Sequence, residues 1–457
     1  MRFYDRSGEM ETLRRAVRQK GSAMVVISGR RRVGKSRLVD EFMKENDGYR
    51  AFAVPKEEKM VAGDFADALS EGDGYRPVFN TVRDAFEYFL ARAEKRIMYV
   101  DEFPNLLEVN PSIPFELQKL WERYSASTDK VLILSGSYVG MMDRIFTRRK
   151  APLFGRAAFR LVLDPLDQRT IWEIQEGELG VTDPAQMIAN YCIFGGIPYY
   201  YEVMAKQGGS SSAVDLFFDV GPLREEGQDV LRQEFGGTYK KYFSILEAIG
   251  HGFASAGEIG NRIGIRQTTL SKYLIALQND FKLVRREVPF GQNPYRSKKG
   301  AYVLADNLLA FWFSLVRGRD RAPRQGDLDS FIGRRFELLC MDFLTSLLAG
   351  LKETVIRKGR WWGPVEVQKG GYEQREIDVV IETERALYIG ECKWSDTLMD
   401  KGDLRHLKRS AAALEARKPV RWVLFSKAGF SGLEEGEDLL LFDARRIIDA
   451  KVFPGRP

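Results

Sequence analysis

Apolar positions along the chain fall into three regimes. In the first part, short unbroken apolar runs (Met24–Ile27, Ile97–Val100 and Val131–Leu134) predict strands, and they alternate with stretches of helical spacing such as Leu13, Ala16 and Val17, then Val82, Phe86 and Phe89. From Tyr239 the pattern turns wholly helical, with Tyr242, Ile245, Leu246 and Ile249 on one face and Gly250-His251-Gly252 as its stop. Toward the end, Arg375–Ile381 and Ala386–Trp394 read as short strands in which acids and a lysine alternate with apolar residues. A helix opening at Phe331 and a period-breaking linker over 317–326 separate the second regime from the third.

The first strand runs directly into Gly29-Arg30-Arg31-Arg32-Val33-Gly34-Lys35-Ser36, and a helical pattern follows from Arg37. Strand, glycine-bounded loop ending in Gly-Lys-Ser, then helix is the context in which this spelling is a phosphate site. Gly29 and Gly34 let backbone N–H groups turn inward, and the helix points its positive end at the same spot. Loop residues Arg32, Val33 and Arg37 would surround the phosphates, Lys35 would reach the β and γ groups, and Ser36 would hold Mg²⁺. The expected ligand is ATP.

The strand Ile97–Val100 delivers Asp101 and Glu102 at its carboxyl end. Asp101 is expected to position the Mg²⁺ shell and Glu102 to polarise the attacking water. The strand Val131–Leu134 ends in Ser135-Gly136-Ser137, where Ser135 or Ser137 would sense the γ-phosphate; both are also ordinary turn residues. Arg144, Arg148, Arg149 and Lys150 lead to Leu153-Phe154-Gly155-Arg156, and Arg156 is the candidate arginine finger, with a solvated basic face as the plain alternative.

Taken as a set, the loop, Tyr99-Val100-Asp101-Glu102, Leu134–Ser137, Leu153–Arg156 and Gly195-Gly196-Ile197-Pro198-Tyr199-Tyr200 resemble the archaeal ATPase family, a P-loop group near the AAA+ and STAND ATPases. The resemblance covers the first half of the chain. It implies a parallel αβα sandwich with a helical lid, and a Gly-x-Pro element, here Gly196-Ile197-Pro198, that brings Pro198 toward the adenine.

In the middle, Glu258–Gly264 and Gln267–Leu277 read as two helices joined by a short turn, the second rich in Gln, Thr, Ser and Lys. That suits a helix-turn-helix, with Leu283–Val288 and Tyr302–Leu304 as a wing carrying Arg285, Arg286, Arg296, Lys298 and Lys299 for phosphate contacts. DNA is the expected partner, although such modules also serve only to pack on a nucleotide domain.

If the hairpin after Ile381 pairs Glu382 with Arg385, Asp378 lies opposite Ile389 and diagonal to Glu391, so Asp378, Glu391 and Lys393 share a face. Two carboxylates and a lysine outline a metal-dependent phosphodiesterase site, in which Asp378 and Glu391 hold a second divalent ion and Lys393 orients water. This resembles the PD-(D/E)xK nuclease superfamily, in which Glu337 would match the acid on the first helix; a polar sheet face is the plain alternative.

Composition changes this picture little. At 457 residues the chain exceeds one ordinary domain, and its +6 net charge is modestly basic, in keeping with an anionic partner. Cys192, Cys340 and Cys392 are too scattered for a zinc site or a disulfide framework, and no apolar run is long enough to span a membrane. The expectation is a cytoplasmic α/β protein. Its parts would be a P-loop core over 1–165, a helical lid over 166–236, a winged helix over 237–316 and a small nuclease-like domain over 317–457, with a homo-oligomer left open. The function expected is ATP hydrolysis coupled to DNA binding and a nuclease-like domain; the alternative is a nucleotide-controlled switch whose nuclease fold is inactive.

Overall fold

The computed structural model describes residues 1–70, 75–209, 212–218, 221–297, 299–367, 371–414 and 416–450. Lys298 of the expected wing lies outside them. The first sheet holds β1 (Ala23–Gly29), β2 (Gly48–Phe52), β3 (Ile97–Asp101), β4 (Val131–Gly136) and β5 (Phe159–Leu163), in the order β2-β3-β4-β1-β5. All its pairings are parallel. Every position of β1, β3 and β4 is buried, which is why these segments read as unbroken apolar runs. Alternate residues of β1 divide between two cores: Val25 and Ile27 meet Leu13 and Leu38 on one face, and Met24 and Val26 meet Phe65 and Phe86 on the other. Edge strand β5 is buried only at Leu161 and Leu163, and its alternation gave no strong strand signal.

Four helices follow: Gln168–Leu179, Pro184–Phe194, Pro198–Lys206 and Glu226–Phe235. The first two start on aspartates whose carboxylates accept from the backbone, Asp167 from Thr170 N and Asp183 from Gln186 N. Next come helices Tyr239–Gly250, Ala256–Ile263 and Gln267–Asn279, and an antiparallel ribbon of β6 (Val284–Glu287) and β7 (Ala301–Leu304). The helix Asn307–Phe311 continues into a π turn over Trp312–Val316. A 26-residue helix, Gln325–Gly350, then begins six residues before the expected Phe331 start, because its first turn is polar. The supposed linker is correspondingly short and tied down by pairs such as Arg319–Asp327 and Arg224–Asp320.

The second sheet, ordered β12-β11-β10-β9-β8, contains β8 (Val355–Val367), β9 (Gly371–Thr383), β10 (Leu387–Lys393), β11 (Val420–Ser426) and β12 (Leu439–Asp443). Strands β8, β9 and β10 are antiparallel, while β10, β11 and β12 are parallel, with the helix Lys401–Ala411 between β10 and β11. The long helix packs on this sheet and also on the helix Pro184–Phe194. Gln168 Nε2 donates to Leu339 O across that junction at 3.0 Å, and one buried apolar cluster runs from Met10 to Ile447. Among the described residues no helix is long and apolar enough to cross a membrane.

Candidate nucleotide site and a second acidic cluster

The loop after β1 turns because two of its residues take left-handed backbone: Gly34 at φ 100° and Arg32 at φ 69°. Gly29 is needed for a different reason than expected. Its φ is not positive; a Cβ there would sit 2.6 Å from Leu163 O on β5. Gly29 and Val33 therefore lie behind the loop, and the wall of a ≈340 Å³ cavity is made by Gly34, Lys35, Ser36, Arg37, Asp101 and Glu102, with Ser137, Pro198 and Tyr199.

Lys35 is buried and folds back onto the loop, its Nζ donating to Gly29 O at 3.0 Å, Arg30 O at 3.2 Å and Ser137 Oγ at 2.8 Å. Among the described residues no carboxylate lies within ion-pair distance of it, and burial lowers its pKa from the ordinary lysine value. An ammonium enclosed by neutral oxygens at the mouth of a helix is placed to take an anion. Beside it, Ser36 Oγ donates to Asp101 Oδ2 at 2.7 Å. A hydroxyl and a carboxylate side by side are hard oxygen donors, so these two residues fit Mg²⁺.

Glu102 is itself in left-handed backbone, at φ 51°, and its carboxylate accepts from Ser137 N at 3.0 Å and from Ser137 Oγ. Ser137, not Ser135, thus reaches the cavity. Ser135 is fully buried behind Asp101, donating to its Oδ1 and sharing a hydrogen bond with Tyr99 Oη, because β4 continues through Gly136 and turns this side chain inward. The arginines also diverge from expectation. Arg156 pairs with Glu122 and Phe154 O, away from the cavity wall, and Arg144 and Arg148 pair with Asp280 at the end of the helix Gln267–Asn279. Arg32 lines the cavity, its guanidinium bonding both oxygens of Glu226 at 3.0 and 3.1 Å while lying 3.8 Å over the Tyr199 ring. Pro198, at the start of its helix, comes 3.9 Å from where a Gly34 Cβ would be.

Three further residues have no role assigned from the sequence, although Arg30 and Arg31 lie inside the loop motif. Arg30 forms a 2.6 Å ion pair with Asp306, whose other oxygen caps the helix Asn307–Phe311 through Leu309 N. Arg31 lines the nucleotide cavity. Glu234, on the helix Glu226–Phe235, faces Arg30, Lys35 and Arg31; burial pushes its carboxyl up to about 7 against their attraction, and Glu102 adds repulsion.

In the second sheet the register differs from the expected one. Leu387 pairs with Glu382 and Gly390 with Val379, a shift of two residues that leaves Thr383–Ala386 as the loop, closed by Thr383 Oγ1 accepting from Arg385 N and Ala386 N. Continuing that register sets Glu391 opposite Asp378 rather than diagonal to it; a shift of two preserves the face. Asp378 Oδ2 accepts from Cys392 N at 3.0 Å. Asp378, Glu391 and Glu337 are all pushed above the ordinary carboxyl range, by burial first; neighbouring acids add repulsion, while the Cys392 N–H opposes the shift of Asp378 and Arg360 opposes that of Asp378 and Glu337. Arg360 lies 3.1 Å from both Glu337 and Glu376, and Lys393 pairs with Asp403 at 3.3 Å. Among the described residues no three His, Cys, Asp or Glu groups converge as a ready metal cluster.

On the helix Gln267–Asn279, Leu270, Leu274 and Leu277 are buried, while Gln267, Thr268, Ser271 and Lys272 face solvent, as do Arg285, Arg296 and Lys299 of the ribbon. Arg286 does not join them. It holds the ribbon's loop together by donating to Pro294 O and Ser297 O.

A five-stranded parallel sheet, a Gly-Lys-Ser loop before a helix and an adjoining acid-tipped strand define an α/β P-loop NTPase. Residues 3–203 match a family described as an ATPase domain predominantly from Archaea, and residues 323–407 match a second, described as Archaea bacterial proteins of unknown function. Over nearly its whole length the chain is similar to an uncharacterized protein of Methanocaldococcus jannaschii, 27% identical across 97% of this chain and 96% of that one. In fold it is similar to a Walker-type ATPase of Pyrococcus abyssi, 19% identical with a TM-score of 0.50, covering 68% of this chain and 96% of the other.

Proposed function

We propose that the chain binds and hydrolyses ATP at the loop Gly29–Ser36 and uses the nucleotide state to set how its other two parts meet DNA. The observation that carries the ATP reading is Lys35: a buried ammonium with only neutral partners among the described residues, beside Ser36 and Asp101 and facing Glu102. Mg²⁺ bound by Ser36 and Asp101 would neutralise phosphate charge. Lys35 exchanges its carbonyl partners for phosphate oxygens, and Glu102, released from Ser137, orients and polarises the attacking water. Pro198 and Tyr199 close the cavity, and Arg156 contacts nucleotide only if a neighbouring copy presents it. The Arg30–Asp306 pair gives the loop a direct handle on the segment that follows β7.

The three helices and ribbon over 239–304 act as a winged helix, with Gln267, Thr268, Ser271 and Lys272 offered to bases and phosphates. Two readings of the second sheet stand side by side. Buried Glu337, Asp378 and Glu391 with Lys393 support a metal-dependent nuclease site, for which Asp378 and Glu391 would be the ligands. Arg360 between Glu337 and Glu376 favours the other reading, an acid cluster already neutralised by protein and acting as a binding surface under nucleotide control. Steady-state ATP turnover by the full chain, with and without duplex DNA, tests the coupling: we expect Glu102→Gln to bind ATP without turning it over and DNA to change the wild-type rate. Nicking of supercoiled plasmid with Mg²⁺ or Mn²⁺, abolished in Asp378→Ala, would select the nuclease; no nicking with either metal would select the switch.

A further inference from the structure

Arg335, on the long helix, is a buried guanidinium with no counter-ion among the described residues. It is 9% exposed, and its Nη groups donate to Leu304 O at 3.0 Å, to Ala305 O at 3.4 Å and to Asn307 Oδ1. Among the described residues its Nε has no partner and no carboxylate lies within ion-pair distance. Carbonyl dipoles replace only part of the hydration a cation gives up, so a guanidinium held this way is costly unless something anionic completes its shell. Burial, and the facing Arg285, hold its pKa below the ordinary arginine value, at about 10.

Arg335 opens onto a ≈270 Å³ cavity where the nucleotide loop, the lid, the ribbon and the long helix meet, which Arg30, Arg285 and Asn307 also line. Two acids border it, and both are already matched: Asp306 by Arg30 at 2.6 Å and Asp342 by Lys358 at 2.9 Å. Among the described residues Arg285 pairs only with Glu287, at 3.7 Å. With Arg30 and Arg285 each paired, the uncompensated charge is about one positive unit, on Arg335, and planar guanidinium forks match the oxygens of a tetrahedral oxyanion. The cavity falls below the ~300–1,000 Å³ of sites for drug-sized ligands, so the ligand is compact.

We propose that this cavity binds phosphate, either free or as a small monoester, and is distinct from the nucleotide cavity. The anion would join Arg335 on the long helix to Arg285 on β6, next to Arg30 at the root of the nucleotide loop. A phosphate level would then bear on how the C-terminal part is held against the ATPase core. The test uses the full chain carrying Lys35→Ala, which removes the phosphate contact of the nucleotide loop, and equilibrium dialysis with labelled inorganic phosphate. We expect about one equivalent to remain bound. Adding Arg335→Met should weaken binding at least tenfold, and so should Arg285→Glu, a change at an exposed position that leaves the buried packing alone. Displacement of the label by glycerol 3-phosphate would assign the site to monoesters; failure to displace would assign it to free phosphate. No retained phosphate in the Lys35→Ala chain, or retention indifferent to Arg285→Glu and Arg335→Met, overturns the proposal.

Discussion

Glu234 makes the protein less stable as pH rises through neutrality, and its removal should therefore stabilise the fold. Burial raises its carboxyl from the ordinary 4.5 to about 7; Arg30 and Lys35 pull the other way, Glu102 pushes with burial, and Arg31 opposes it. A folded-state value above the unfolded one means that stability is fully present below about pH 4.5 and is lost as pH rises through 7. The move corresponds to about 3 kcal/mol of differential stability between the two ends of that window. Glutamine keeps the shape and cannot ionise. Urea unfolding of the full chain should thus show Glu234→Gln equal to wild type near pH 4.5 and more stable by up to about 3 kcal/mol near pH 8.5. Nucleotide provides a second readout, because phosphate charge beside Lys35 raises the carboxyl further. Calorimetry of MgATP binding near pH 8, in buffers of differing ionisation enthalpy, should show proton uptake that vanishes in Glu234→Gln. A glutamine variant no more stable at pH 8.5 than wild type, together with identical proton counts, would refute the reasoning.

Other outcomes follow from the same geometry. Asp306→Ala leaves the mostly buried Arg30 unpaired and removes a helix cap; it should cost about 3–5 kcal/mol in urea unfolding, and Asp306→Asn, which can still cap, should cost less. Gly196→Ala would place a Cβ 2.0 Å from Leu166 O, where a backbone hydrogen bond of 2.8 Å fixes the approach; a loss of about 1–3 kcal/mol is expected in the same assay. Lys272→Glu, at an exposed helical position, should weaken duplex DNA binding and reduce the slope of log affinity against log salt by about one, as read by fluorescence anisotropy.

The sequence made local order legible and long-range partners invisible. The succession from β1 through the loop to the helix Lys35–Phe42, and the acids at the end of β3, could be read because both depend on neighbours in the chain. Ser135 and Ser137 could not be ranked, since everything turns on whether β4 stops at Leu134 or runs to Gly136. Pairing Glu382 with Arg385 presumes a two-residue turn, whereas Thr383 closes a four-residue connection and sets the register two residues away. Strand β8 was missed, its charged residues Arg357, Lys358 and Arg360 masking a strand that pairs along nearly all of β9. Arg156 read as a finger from its motif alone, whereas Glu122, 34 residues earlier, decides where it points. Asp306, Glu234 and Arg335 matter through groups far away in sequence, and no periodicity or spacing marks such residues.

Equilibrium binding of labelled ATP with Mg²⁺ to the purified, folded full chain tests the central claim most directly. We expect one nucleotide per chain, with binding lost in Lys35→Ala at unchanged secondary structure. Absence of binding to the folded wild type, or equal affinity in Lys35→Ala, would contradict it.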